Sequence, residues 1–384
     1  MHPMVKPALR RAWRERQTVQ FGVAPVHAVS LGPVDTATGS FLQLLDGTRG
    51  MPLLRAEARS MGLTEDRVDA LVDRLAKAGL LDDPTAGGQP VKALTRRPGA
   101  VDRLRADAAS LSLVHPEPGD GLRRLAARRA MRVQVRGAGR VGATVAALLS
   151  GAGVGSVEVV DGGSVAPWDV TPGGLPKESV GERRDVAARG LVRRSAPLRP
   201  PRSTARGGPG VPAGGEPARS LVLVCPRDGL AAYAPDPATA VDWISAEVPH
   251  LYAGVIETTG VVGPLVLPGR SACAGCLQWE RTERDPGWPR LLAQWRSGGR
   301  RAPVPACDLA LGTAVAGLAA AHALAYLDDR SPLHANARWE TSLPLLDWRR
   351  QQFVPHVDCA CGAWGKSGGR DASGFAPAHE TMAG

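Results

Sequence analysis

Residues 131–165 read MRVQVRGAGRVGATVAALLSGAGVGSVEVVDGGSV. A short strand (132–135) meets a glycine turn, an apolar helix follows (141–151), and a second strand (157–160) ends on Asp161. Strand, turn, helix and strand in this order make a βαβ unit, so the predicted fold is a Rossmann-like α/β domain. Each glycine of Gly137-x-Gly139-x-x-Gly142 has its own purpose. Gly137 permits the tight turn, Gly139 lets backbone approach a phosphate, and Gly142 lets helix and strand pack closely. The helix N-terminus offers unpaired N–H groups and the positive end of its dipole to an anion. Asp161, nineteen residues past Gly142, stands where a carboxylate accepts both ribose hydroxyls. Gly137, Gly139, Gly142 and Asp161 are therefore the expected nucleotide-binding set. The competing expectation is a fold that kept its glycines for packing alone.

Upstream, TVQFGVAPVHAVSL (18–31) reads as two short strands around a turn at Ala24-Pro25. Phe41, Leu42, Leu44 and Leu45 mark a first helical face, residues 51–62 a second helix, and TEDRVDALVDRLAKAGLL (64–81) a third. In the third, Thr64 occupies the cap position, Asp66 completes an acidic capping box, and Val68, Leu71, Val72, Leu75 and Leu80 form the apolar stripe. Residues 1–90 are thus expected to form a small winged-helix-like α+β module, and 91–130 a polar linker with a short helix at 121–129. Downstream, a helix fits 181–194, a buried parallel strand 220–225, further strands 252–255 and 263–267, and a long Ala-rich helix 310–327. The nucleotide-binding domain spans 131–362. Within it, 198–218 is a low-complexity, disordered insertion, and 363–384 is expected to be a disordered tail.

A net charge of +10 invites a nucleic-acid reading, which the distribution opposes. Of 47 basic residues only Lys6, Lys77, Lys92, Lys177 and Lys366 are lysines, a skew that with abundant Ala, Gly and Pro points to a GC-rich genome. Aromatic residues, at 4%, are too sparse to stack bases. The third N-terminal helix carries Glu65, Asp66, Asp69 and Asp73, where a recognition helix should be basic. No nucleic-acid partner is expected, and the basic surface suits an acidic peptide or a nucleotide. No run reaches the ~18 uninterrupted apolar residues of a bilayer span. Residues 1–20 lack the apolar core of a secretory signal. The expectation is a cytoplasmic protein with no membrane partner.

Four of the six cysteines fall into two tight pairs, Cys273-x-x-Cys276 and Cys359-x-Cys361. In a reducing compartment such pairs are metal ligands more often than disulfides. Four thiolates would close a tetrahedral sphere, so a structural Zn2+ is expected; surface thiols are the alternative. His356, three residues before Cys359, could replace one ligand. Cys225 reads as core. Cys307, before Asp308 and a helix, is left as a candidate nucleophile. None of the eight histidines accompanies the glycine motif, which argues against a dehydrogenase.

The run Gly137-Ala-Gly-x-Val-Gly142, followed by Gly151-Ala-Gly153-Val-Gly155 and Val157-Glu-Val-Val-Asp161, resembles the ThiF/MoeB/ubiquitin-activating adenylyltransferase superfamily over about residues 131–360. That resemblance implies a domain using ATP and Mg2+ to activate a carboxylate as an acyl-adenylate, with a cysteine-pair zinc site near its C-terminus. The chain departs from the pattern where chemistry occurs. Asp169 stands at the family's Asn and Pro172 at its phosphate-gripping Arg. The phosphate-contacting lysine is matched by Arg184, and the magnesium-binding Asp by Asp228 only with a one-residue shift. Arg184 and Asp228 are the catalytic candidates the resemblance leaves. Because adenylyl transfer needs cations and metal at the transferred phosphate, a degenerate site is expected.

Gly263-Pro-Leu-Val-Leu-Pro-Gly269-Arg-Ser-Ala-Cys273-Ala-Gly-Cys276, with Leu44-Leu-Asp46-Gly-Thr48-Arg49 and Gly79-Leu-Leu-Asp82, is similar to a branch of that family. These are the ThiF-like cyclodehydratase partner proteins of ribosomal peptide pathways that form azoles with a YcaO-type enzyme. The similarity implies a leader or precursor peptide bound as an added strand at an edge within 18–31, beside the helix at 64–78, and presented to the modifying enzyme. Homodimers are common in the family. The competing function is an active adenylyltransferase acting on a peptide or protein carboxylate.

Overall fold

The computed structural model describes residues 1–96, 98–198, 219–297, 304–329 and 334–365. The expected insertion at 198–218 and tail at 363–384 lie outside the described residues, save for residue 198 and residues 363–365.

The N-terminal part runs β1 (Met4–Val5), β2 (Arg11–Glu15), β3 (Thr18–Phe21), β4 (Val29–Leu31), α1 (Thr36–Leu44), α2 (Met51–Ser60), α3 (Glu65–Lys77) and β5 (Leu81–Asp82). Here three strands, not two, form an antiparallel sheet in the order β2-β3-β4, while β1 pairs with β5. The extra strand β2, RAWRE, escaped sequence reading because all five residues are exposed and no alternation marks them. Val19, Phe21 and Leu31 on one sheet face pack with Phe41, Leu54, Val68, Val72 and Leu75 into a core of their own. Asp35 caps α1, accepting the Thr38 N–H at 2.7 Å. Thr64 does sit at the cap of α3, but its side chain makes no capping bond, so the capping box with Asp66 is absent.

The stretch expected to be a linker is helical. It holds α4 (Gly88–Thr95), α5 (Pro98–Arg103), α6 (Arg105–Val114) and α7 (Asp120–Arg128) around Val91, Leu94, Leu104, Leu111 and Leu125. This block ties the two ends of the molecule together. The Lys6 ammonium donates to the carbonyls of Ser112 and Pro116. On the other side Arg128 forms a two-pronged bridge to Asp328, at 2.8 and 2.7 Å.

The main domain continues with β6 (Arg132–Arg136), α8 (Arg140–Gly151), β7 (Ser156–Val160), α9 (Arg184–Ser195), β8 (Leu221–Val224), α10 (Leu230–Tyr233), α11 (Val241–Ser245), β9 (His250–Ile256), β10 (Thr259–Val266), α12 (Ala274–Arg284), α13 (Trp288–Ser297), α14 (Leu309–Asp329), β11 (Ala337–Ser342) and β12 (Arg349–Gln352). Its seven strands lie in the order β12-β11-β10-β9-β8-β6-β7. β7, β6, β8 and β9 are parallel, and β9 to β12 antiparallel. Strand alternation buries both faces. Leu221, Leu223, Leu251 and Ala253 face α8, α9 and α14, whereas Val222 and Tyr252 face α11 and α12. α14 is long and apolar enough to cross a bilayer by composition, yet half of it is buried, packed on α8 and the sheet.

Because β7 lies on one side of β6 and β8 on the other, the chain reverses direction across the sheet at β6. A crevice opens there, at the C-terminal ends of the parallel strands.

Candidate functional site

The glycine turn occupies the mouth of that crevice. Gly137 has φ +106°, and a Cβ there would lie 2.0 Å from the Cys225 carbonyl oxygen. A Cβ on Gly142 would lie 2.1 Å from the Gly137 carbonyl oxygen, so helix and turn touch directly. Gly139 differs. A Cβ there would meet the Arg227 side chain at 2.9 Å, so this side chain covers the backbone that a phosphate would approach.

Around the turn, the charged residues engage one another. Asp161, closing β7, accepts the Ala138 N–H at 2.6 Å and the Arg184 Nε–H at 2.9 Å. Arg184 also donates to the carbonyls of Gly162 and Ser164, and approaches Asp169 at 3.8 Å. Asp169, only 3% exposed, accepts from Arg227 Nε at 2.9 Å and from the Ala166 N–H. Two arginines and two carboxylates thus form a closed network over the glycine turn. Asp228 is exposed, accepts the Leu230 N–H at the start of α10, and does not line the crevice.

The crevice itself is a cavity of about 480 Å3, bounded on the turn side by Gly137, Asp161, Arg184 and Arg227. Its other wall holds the Trp243 ring, with the Arg136 guanidinium 5.3 Å from the ring centroid. At its floor the buried Tyr252 hydroxyl has no hydrogen-bond partner among the described residues, and burial pushes its pKa up. Behind it the equally buried His250 ring packs on Trp243 and Tyr252, and burial lowers its pKa to about 4.

Neither remaining cysteine is activated. Cys225 is core, its thiol pushed up to about 12 by burial. Cys307 lies beside Arg140, which donates to its carbonyl at 2.6 Å, and burial raises its thiol pKa as well. A raised pKa disfavours the thiolate that a nucleophile needs.

The other four cysteines come together from α12 and the segment after β12. Their sulfurs all lie within 4.8 Å of one another, with Sγ–Sγ distances of 3.9 Å (Cys273–Cys276), 3.6 Å (Cys273–Cys359) and 3.6 Å (Cys276–Cys361). Tetrahedral thiolates around an ion at ~2.3 Å stand about 3.8 Å apart, so the group could hold one metal ion. The hydrogen bond from the Cys273 thiol and neighbouring donors lower Cys276 to about 5; the same bond raises Cys273. His356 is not a fifth member. It stacks on Trp279 at 5.2 Å, with Nε2 3.0 Å from Glu283.

The sequence profile of the ThiF family matches residues 114–363, well over half of the chain. The protein belongs to the ThiF family. Among curated proteins no sequence match is found. Solved structures share the fold at low identity. Escherichia coli MccB with succinimide is 15% identical, over 94% of this chain and 98% of that one, with TM-score 0.64. E. coli MccB with ATP is 14% identical over 94% and 99%, TM-score 0.63. The heterocyclase TruD is 16% identical over 94% of this chain but 43% of its own, TM-score 0.59.

For this ThiF-family chain, the structure gathers Gly137, Gly139, Gly142, Asp161 and Arg184 at one crevice and leaves Asp228 outside it. It adds Arg227, Arg136, Trp243 and Tyr252, which sequence reading missed. Arg136 ends the first strand and Arg227 lies two residues past Cys225, so both occupy strand C-terminal ends, the positions that line such crevices.

Proposed function

We propose that the chain captures a precursor peptide through its N-terminal, winged-helix-like module and presents it to a partner modifying enzyme, of the YcaO type, without adenylating it. One observation carries the second half of this reading: Arg184 and Arg227 are committed to Asp161 and Asp169 above the glycine turn. Adenylyl transfer requires cations and a metal carboxylate free to meet phosphate charge. Here the cations are bound internally and Asp228, outside the crevice, accepts the Leu230 N–H, so the residues do not fit Mg2+-triphosphate. MccB has been solved with the MccA peptide and TruD is named a heterocyclase, which supports a peptide setting.

ATP–pyrophosphate exchange tests the proposal. The full chain, offered peptides with free C-termini, should exchange no faster than a no-enzyme blank. Robust exchange would overturn the reading in favour of the second one, an active peptide adenylyltransferase. The open 480 Å3 cavity beside Gly137 and the Trp243 ring favours that second reading, since it leaves room for a nucleoside.

The four thiols fit Zn2+, which would cross-link α12 to the segment after β12 without entering the chemistry. Elemental analysis should return one zinc per chain, and none in Cys276→Ser. A homodimer completes the proposal and is read by sedimentation.

A further inference from the structure

Glu65 and Asp69 of α3 do not face where its two arginines face. On one flank of the core stripe Val68, Val72 and Leu75, Asp69 holds both prongs of Arg55 at 3.0 Å and Glu65 meets Arg59 at 3.5 Å, so this flank is spent on α2. On the other flank stand Arg67, Leu71 and Arg74, one helical face at spacings of four and three. Arg67 reaches Asp35 at 2.7 Å and Arg74 reaches the Gly32 carbonyl at 3.4 Å, both just past the end of β4. These residues therefore form the wall of a groove whose other side is β4.

β4 is an edge strand, and its open side can be phased. Gly22 N–H donates to the Arg10 carbonyl across the β2–β3 pair, and Val34 N–H to the Gln17 carbonyl on the other side. Alternation of an antiparallel ladder then aims the amides of Val19 and Phe21 at β4, and turns the N–H and C=O of Ser30 away from β3, into the groove. β3, also within the expected 18–31 edge, is central and closed to addition.

Resting on the peptide-capture reading above, we infer that this groove takes an acidic extended peptide. It carries carboxylates four residues apart, facing Arg67 and Arg74, with an apolar residue midway against Leu71. The lengths agree. Arg67 and Arg74 are ~10.5 Å apart along the helix at 1.5 Å per residue, and four strand residues span ~13 Å, a gap two arginine side chains close. Arg67 and Asp35 are 53% and 48% exposed, so a peptide carboxylate can take the arginine from Asp35 and the Thr38 hydroxyl at little cost.

The test uses the full chain and fluorescein-labelled 12-residue peptides with the core Glu-x-Leu-x-Glu in a Thr/Val context, read by anisotropy at low salt. The Glu peptide should bind about ten-fold more tightly than its Gln counterpart and lose that margin in high salt. The double reversal Arg67→Glu/Arg74→Glu should reject the Glu peptide and accept a Lys-x-Leu-x-Lys one; this rescue also shows that the variant is folded. Ser30→Pro removes the edge N–H and should weaken every peptide. Equal binding of Glu and Gln peptides, both lost in Ser30→Pro, overturns the acidic class while leaving strand capture standing. Binding indifferent to Ser30→Pro and to the reversal places the peptide elsewhere and overturns the inference. No binding of any peptide overturns both the inference and the capture reading beneath it.

Discussion

Arg184 and Arg227, at the glycine turn, are bound to two carboxylates that are themselves nearly buried. Arg67 and Arg74, beside β4, reach the half-exposed Asp35, the Thr38 hydroxyl and a backbone carbonyl. Both regions are arginine-lined, and both would count equally toward the net charge of +10. What separates them is where each guanidinium finds its partner. A cation enclosed with its counter-ion has exchanged ligand affinity for local order, whereas one left against solvent and an open strand edge keeps its charge available.

The strongest way to break this contrast is to remove the hub of the closed network. Asp169→Ala leaves Arg184 and Arg227 without their shared carboxylate and should cost about 3 kcal/mol of stability, read from the urea midpoint. The same variant should acquire affinity for inorganic pyrophosphate that the parent lacks. Unchanged stability together with unchanged anion binding would show that the network closes nothing.

Acid should separate the two regions by pH. Buried His250, behind the crevice, and buried His322, on α14, have pKa values lowered by burial to about 4 and about 3. A folded value below the unfolded one means the unfolded chain binds more protons, so stability falls as pH drops below about 6.5. Asp35, in the N-terminal module, is lowered to about 2, first by its bond from the Thr38 hydroxyl. Its contribution is therefore complete above the ordinary carboxylate range and fades only between pH ~4 and 2. Hydrogen exchange, corrected for intrinsic rates, should show β9 and α14 loosening at pH 5 while α1 and β4 stay protected. Simultaneous loosening would refute the division.

The smallest expected effect sharpens the open side. Arg67→Ala removes an exposed pair and should change stability by less than about 1 kcal/mol. A larger loss in thermal denaturation would mean that this arginine is a structural member after all, and the two regions would cease to differ.

The βαβ unit, the third N-terminal helix and the cysteine pairs were legible because each depends on period or short spacing. Gly137, Gly142 and Asp161 stand where such a unit must have them. β2, with RAWRE, and β12, with RRQQ, were illegible because edge strands facing solvent carry no apolar alternation. The helices α4 to α6 were missed for a related reason: each is ten residues or shorter and buries few side chains.

Local order along the chain was enough to specify the α/β class, the glycine turn and a candidate metal knuckle, since those follow from neighbours within a turn or two. It could not say that Arg184 spans 23 positions to Asp161, or that Arg227 spans 58 to Asp169. Nor could it say that Glu65 and Asp69 of α3 turn toward α2 and leave its arginines beside an open strand. Charges interact through space, so their availability is settled by packing, which no spacing in the sequence records.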